Sequence, residues 1–270
     1  MLVWKNTSTL DGYDSGINFT EDKNLAEIAL LGSKSIYINE FPILKGIFRA
    51  GIGKDNVPEA EAIKKNILVK YPSKETIDII YNETAAYTCS LIFRMLYNNL
   101  GTLEPWLKYS RYELKNKTLL IIGKGNIGSR VFQHMNQFMN TITFDILENE
   151  ESELEELLIK ADCISLHIPK MSSTHCFINK QKLSIMKDNA IIINTARGTL
   201  VDEDALFDEI NKGRLSAAFD VFWEEPYKGK LSKFSPNEFF MSPHIASTCI
   251  GFLKGCRRGL NNLISDLKND

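Results

Sequence analysis

Three short segments of this 270-residue chain carry side chains whose types could cooperate in chemistry: Asn194-Thr195-Ala196-Arg197-Gly198, Asp220 to Pro226 (DVFWEEP), and Pro243-His244-Ile245. The guanidinium of Arg197 can hold an anion and polarise a carbonyl. The imidazole of His244 can exchange a proton with an alcohol, and a carboxylate of the Glu224-Glu225 pair can orient that imidazole and favour its protonated form. Together they suit hydride transfer at a carbonyl, with His244 acting as acid in reduction and as base in oxidation. Singly, each has a plainer reading: a surface ion pair, a turn carboxylate, a packed histidine.

Such chemistry needs a hydride carrier, and the chain offers a place for one. Gly123-Lys124-Gly125-Asn126-Ile127-Gly128 is a GxGxxG loop between the apolar run TLLII (118–122) and a stretch with helical spacing from Asn126 to Phe138. In that context Gly123 permits the tight turn, Gly125 lets a pyrophosphate approach the backbone, and Gly128 lets helix and strand pack closely. The helix amino terminus then faces the phosphate charge. Asp145 ends the next strand, where a carboxylate can accept hydrogen bonds from adenosine ribose hydroxyls. It would repel a 2'-phosphate, and Ile146 and Leu147 beside it supply no cation, so NAD is the expected cofactor. Loop and aspartate by themselves also suit FAD or another adenosine ligand.

The elements that must position these residues are legible as alternation. Strands are expected at 118–122, 141–145, 163–169, 190–195, 216–221 and 239–244. Helices are expected between them, at Asn126–Phe138, Glu150–Ala161, Asn179–Lys187 and Asp202–Lys212. Apolar strands separated by helices imply a parallel sheet covered on both faces. The first 80 or so residues alternate more loosely, with strands at 2–4, 29–31, 46–49 and 67–70, and read as a second, smaller α/β unit. A long helix from about Thr84 to Asn98 follows, then GTLEPW as a turn-rich connector. The crossing between the two units is expected just before that helix.

Bulk properties exclude several classes. A formal net charge of -2 gives no reason for affinity to nucleic acid or an anionic membrane, and 44% hydrophobic with 24% charged residues is an ordinary globular composition. The amino terminus lacks a signal-peptide pattern and no apolar stretch is long enough to span a bilayer, so a cytoplasmic protein without membrane or nucleic-acid partners is expected. The five cysteines are scattered and lack CxxC pairing. His167, His175 and Cys176 have poor chelating geometry, so no metal is expected. The acidic run from Glu148 to Glu156 reads as a solvated helix face.

GKGNIG, LHIP, NTARGTLVDEDAL, AAFDVFWEEP and PHIAS stand in the order and spacing of the D-isomer-specific 2-hydroxyacid dehydrogenases. The chain resembles that family, which includes phosphoglycerate, glycerate, hydroxypyruvate and D-lactate dehydrogenases, over most of its length. The resemblance implies NAD-dependent interconversion of a small 2-hydroxy acid and its 2-keto acid. Arg197 would bind the substrate carboxylate and keto oxygen, and His244, paired with Glu225, would be the acid-base. It places Asn126 and Ile127 at the pyrophosphate, Ile168, Pro169 and Thr174 on the adenosine side, and Thr195, Ala196 and Asp220 at the nicotinamide. In FRAGIGKDNV the backbone at Ile52 and Gly53 would receive the substrate carboxylate. Gly32 stands where several relatives place an arginine, leaving Lys34 as the nearest cation.

The implied architecture is two Rossmann-like domains. One is a doubly wound NAD-binding domain over 83–247. The other is a smaller, discontinuous, flavodoxin-like substrate domain over 1–82 and 248–270, to which the last helix returns. The resemblance further implies a cleft between the domains that closes on the ligand, and a homodimer formed through the nucleotide domain. An alternative function on the same scaffold is an NAD(H)-sensing interaction or regulatory protein.

Overall fold

The computed structural model describes residues 1–269, which divide into two compact units: Met1–Ile80 together with the chain from Ser247 onward, and Tyr81–Ala246. In the first unit, β1 (Val3–Lys5), β2 (Ile28–Leu31), β3 (Gly46–Arg49) and β4 (Leu68–Lys70) form a parallel sheet in chain order, with α1 (Glu59–Lys64) between the last two strands. Beyond β1, Val3 also makes a parallel bridge to Phe19: its amide donates to Asn18 O at 2.9 Å, and Thr20 N donates to Val3 O at 3.0 Å. Counting that bridge as a vestigial second strand gives the order 2-1-3-4-5, that of flavodoxin-like sheets.

Alternation along these strands separates two apolar layers. Ile28, Leu30 and Phe48 pack on one face with Phe252, Cys256, Leu260 and Leu263 of the terminal helix α7 (Ile250–Asn269), whereas Ala29, Leu31 and Ile47 pack on the other with Ile38, Phe41 and Ala62. The spacing of the α7 residues is that of one helical face, which is why this segment folds back onto the amino-terminal sheet. Each fully buried large aliphatic contributes about 1.5–3 kcal/mol.

The second unit holds a six-stranded parallel sheet. Its strands are β7 (Thr118–Ile122), β8 (Asn140–Phe144), β9 (Cys163–Leu166), β10 (Ile191–Asn194), β11 (Ser216–Phe219) and β12 (Phe239–Met241), in the order β12-β11-β10-β9-β7-β8. The helices α3 (Asn126–Met135), α4 (Glu151–Lys160), α5 (Lys180–Ile185) and α6 (Glu203–Asn211) connect them. Alternation again splits the core: Leu120, Ile122 and Ile192 face one layer, Leu119, Ile121 and Ile193 the other. The order reverses between β7 and β9, the switch point at which doubly wound sheets open a ligand crevice beyond the strands' carboxyl ends.

Three differences from the sequence reading bear on the site. β9, β11 and β12 stop at Leu166, Phe219 and Met241, so His167, Asp220 and His244 lie in the loops that follow, not in strands. The helix expected from Thr84 is α2 (Lys74–Leu96); it starts earlier, where Ser73 Oγ accepts from Thr76 N at 3.3 Å, and the division between the units falls within it. The GTLEPW connector is a small antiparallel hairpin of β5 (Gly101–Thr102) and β6 (Leu107–Lys108). Among the described residues no helix is long and apolar enough to cross a membrane.

Leu260 is fully buried against the first sheet, so Leu260→Ala should destabilise that unit by about 2–5 kcal/mol, read as a lower midpoint in urea unfolding.

Candidate active site

At the switch point the glycine loop has the shape an anion needs. Gly123 takes φ +100, a conformation that L side chains rarely adopt, and a Cβ there would lie 2.6 Å from His167 O. A Cβ at Gly128 would come within 1.9 Å of Gly123 O, so these two glycines are fixed by close backbone approach. Gly125 differs: nothing lies within 4 Å of where its Cβ would be, which leaves open space over the loop at the start of α3. A pyrophosphate fits such a cradle, with the helix amides of Asn126 and Ile127 beneath it. Asp145, just past β8, accepts from Lys124 N at 2.7 Å and from Leu147 N at 3.0 Å. Each carboxylate oxygen keeps acceptor capacity for a ribose hydroxyl.

Ile168 and Pro169 follow β9 beside this loop, where Ile168 packs on the core and Pro169 O accepts from Thr174 Oγ1 at 2.7 Å. After β10, the buried Asn194 shapes the Arg197 segment. Its Oδ1 accepts from Ala196 N at 3.0 Å and its Nδ2 donates to Arg197 O at 2.9 Å. Thr195 is buried and shares a 2.8 Å hydroxyl contact with Thr88 of α2. Arg197 is half-buried, and its Nη1 donates to Ala196 O at 2.8 Å.

The segments after β10 and β11 are welded together. A Cβ at Gly198 would sit 2.1 Å from the Phe222 carbonyl carbon, and Trp223 Nε1 donates to Val201 O at 2.7 Å. Trp223 also stacks on Phe219, and Phe222 stacks on Tyr227. This aromatic packing fixes the turn from which Glu225 projects, and Glu225 Oε1 accepts from Phe222 N at 3.2 Å. Both Glu225 oxygens then meet His244 Nδ1, at 2.9 and 3.1 Å. That pairing sets the ring's orientation and directs Nε2 away from the carboxylate.

His244 adopts φ +53, an uncommon conformation for a side-chain-bearing residue, and Asp220 is what holds it there. The Asp220 carboxylate is fully buried and accepts from Ser242 Oγ at 2.6 Å, Ile245 N at 2.9 Å and Ala246 N at 2.9 Å. Whatever its place relative to the nicotinamide, where the sequence reading set Asp220, its carboxylate holds the loop that carries His244.

Residues 98–246 match the family described as "D-isomer specific 2-hydroxyacid dehydrogenase, NAD binding domain". The chain belongs to that family. It is 31% identical over 255 residues to a glyoxylate reductase of Thermofilum pendens, a match covering 85% of this chain and 74% of the relative. It is 36% identical over 206 residues to a D-3-phosphoglycerate dehydrogenase of Methanocaldococcus jannaschii, covering 68% of this chain and only 38% of that longer protein. Among solved structures, D-lactate dehydrogenase of Aquifex aeolicus, crystallised with NAD and lactic acid, shares the fold with a TM-score of 0.80. The two are 24% identical over 100% of this chain and 96% of the other. The protein is thus an NAD-dependent oxidoreductase of the D-2-hydroxyacid dehydrogenase family.

The dehydrogenase's other expected substrate residues, Ile52 and Gly53, lie in the first unit on the loop after β3. There a buried cation that the sequence reading passed over organises the backbone. Arg49 Nε donates to Gly53 O and to Asn56 Oδ1, both at 3.1 Å, and Asn56 Nδ2 donates to Gly32 O at 2.7 Å and Lys34 O at 2.9 Å. Asn56 thereby ties the Ile52-Gly53 loop to the Gly32–Lys34 loop. Arg49 and Asn56 sit within FRAGIGKDNV, and burial of both was the signal missing from the sequence.

Charge states in the enzyme follow from packing. Burial pushes the Asp220 carboxyl up, against Ser242, the Ile245 and Ala246 amides and nearby His244, which pull it down. The packing around His167 pushes its imidazole down to about 3, so it stays neutral as it meets Ser165 Oγ at 2.8 Å. Burial also raises the thiols of Cys89, to about 11, and Cys256, to about 12, which makes both poor nucleophiles. Asp220→Asn keeps the volume but cannot satisfy this set of donors. It should cost about 1–3 kcal/mol of stability and depress turnover further than that loss explains, measured by thermal unfolding beside steady-state kinetics.

Proposed function

We propose that this protein interconverts a small D-2-hydroxy acid and its 2-keto acid, with Arg197 and His244 acting on substrate and Glu225 on His244. The observation that carries this reading is the clamp of both Glu225 oxygens on His244 Nδ1. It fixes the tautomer and orientation of a ring whose other nitrogen then gives a proton to the nascent alkoxide or takes one from the alcohol. Arg197, held on the loop that Asn194 pins, binds the substrate carboxylate and polarises the keto oxygen through its planar fork of donors. The Ile52-Gly53 backbone, shaped by Arg49, presents amides suited to a carboxylate. NADH held by the Gly123–Gly128 loop and Asp145 would supply the hydride for reduction, and NAD would take it up in oxidation.

Turnover is tested by NADH oxidation against glyoxylate, hydroxypyruvate, pyruvate, phosphohydroxypyruvate and bulkier 2-keto acids. Arg197→Ala and His244→Ala should each lower kcat/KM by about 10²–10⁴-fold while leaving NADH binding in place. Full activity in either variant removes that residue from the mechanism.

The family resemblance also supports a homodimer, and the hairpin gives it a surface. Leu100, Leu103, Trp106, Leu107, Tyr109 and Tyr112 are all exposed within one short stretch of the second unit, a density of apolar groups typical of an association surface. A second copy of this chain is the occupant we assign to it. The double substitution Leu103→Glu and Trp106→Glu should convert a dimer into a monomer in light scattering at micromolar concentration. A wild-type monomer in the same measurement refutes the assignment.

A further inference from the structure

The rim of the cofactor loop carries a charge arrangement that the proposed reaction does not use. Asp145 and Glu148 stand on one tight turn: Glu148 N and Asn149 N donate to Asp145 O at 2.9 and 2.8 Å, and Asp145 N donates to the Asn149 side chain at 3.0 Å. Lys124, the second residue of the glycine loop, meets this turn twice. Its amide donates to Asp145 Oδ2 at 2.7 Å, and its ammonium reaches Glu148 Oε2 at 2.6 Å. A cation is therefore present where the chain addresses the adenosine ribose, contrary to the expectation from Ile146 and Leu147 alone, and it is engaged by a neighbouring carboxylate.

The consequence concerns a 2'-phosphate. An ammonium on the residue whose amide binds Asp145 is the group that would offset that carboxylate and accept the phosphate of NADP. With Glu148 ionised, Lys124 is already neutralised, and the rim as a whole keeps one negative charge. With Glu148 made neutral, the ammonium is released and the rim is balanced.

We propose that Glu148 is a specificity-determining residue, which by pairing with Lys124 withholds a cation from the 2'-phosphate and sets the preference for NAD over NADP. The proposal rests on the reading that the adenosine ribose lies at Asp145. Both partners are substantially exposed, with 37% and 54% of their side-chain surface open, so substitution should leave the fold intact and the effect should weaken with salt.

The test is fluorescence titration of NADH and NADPH at low ionic strength, with no turnover required. Glu148→Gln should raise the ratio of NADPH to NADH affinity roughly tenfold, the effect of one exposed charge at close range. Adding Lys124→Ala should cancel the gain. An unchanged ratio in Glu148→Gln, or a gain that persists without Lys124, overturns the proposal. Asp145→Asn separates the two readings: NADH affinity should fall in that variant, and if it does not, the ribose is not at Asp145 and the assignment beneath the proposal is wrong.

Discussion

A single buried carboxylate sets the geometry of the loop that carries His244. Asp220 takes up the hydroxyl of Ser242 and the amides of Ile245 and Ala246, so the chain on both sides of His244 is tied to the end of β11. With those ties in place the backbone at His244 holds a positive φ, and in that conformation Nδ1 meets Glu225. An ionisable group with no exposed surface is costly unless its oxygens are satisfied. Here the satisfaction and the positioning are the same interactions, and they join β11 to the loop after its sheet neighbour β12.

The remaining parts of the second unit extend the same logic across neighbouring strands. Loops after β7, β9, β10, β11 and β12 all leave the same edge of the sheet, and each is fixed by a short-range device. Close glycine approach serves the first, the Thr174 hydroxyl the second, Asn194 the third, aromatic stacking and the Trp223 indole the fourth, and Asp220 the last. The strands supply rigidity through their two apolar layers, and the polar side chains that order the loops stand at or beyond the strand ends.

Much of this was legible in the sequence. The glycine loop, Asp145 and the strand alternation could be named because residue type and spacing specify them locally, and Glu225 and His244, expected as a pair, do meet at 2.9 Å. What escaped detection depends on burial. Asp220 looks like one more polar residue after a strand until its exposure is known. Arg49 looks like the exposed end of a strand and Asn56 like a surface residue of a turn, and Trp223 looks like an aromatic on a loop until its indole finds Val201 O. The early start of α2 escaped for another reason: its first turns lack a clear amphipathic stripe, and their helical state rests on the Ser73 cap and on packing. The hairpin was missed because two-residue strands leave almost no periodic trace.

The contact of Gly198 with Phe222 limits how this protein can change. Because the backbone beside Arg197 is pressed directly on the backbone leading to Glu225, neither stretch can shift to suit a new ligand without disturbing the other. A shift of the chain at residue 198 therefore propagates to residues 222–223, and a laboratory library is best built with these positions held constant.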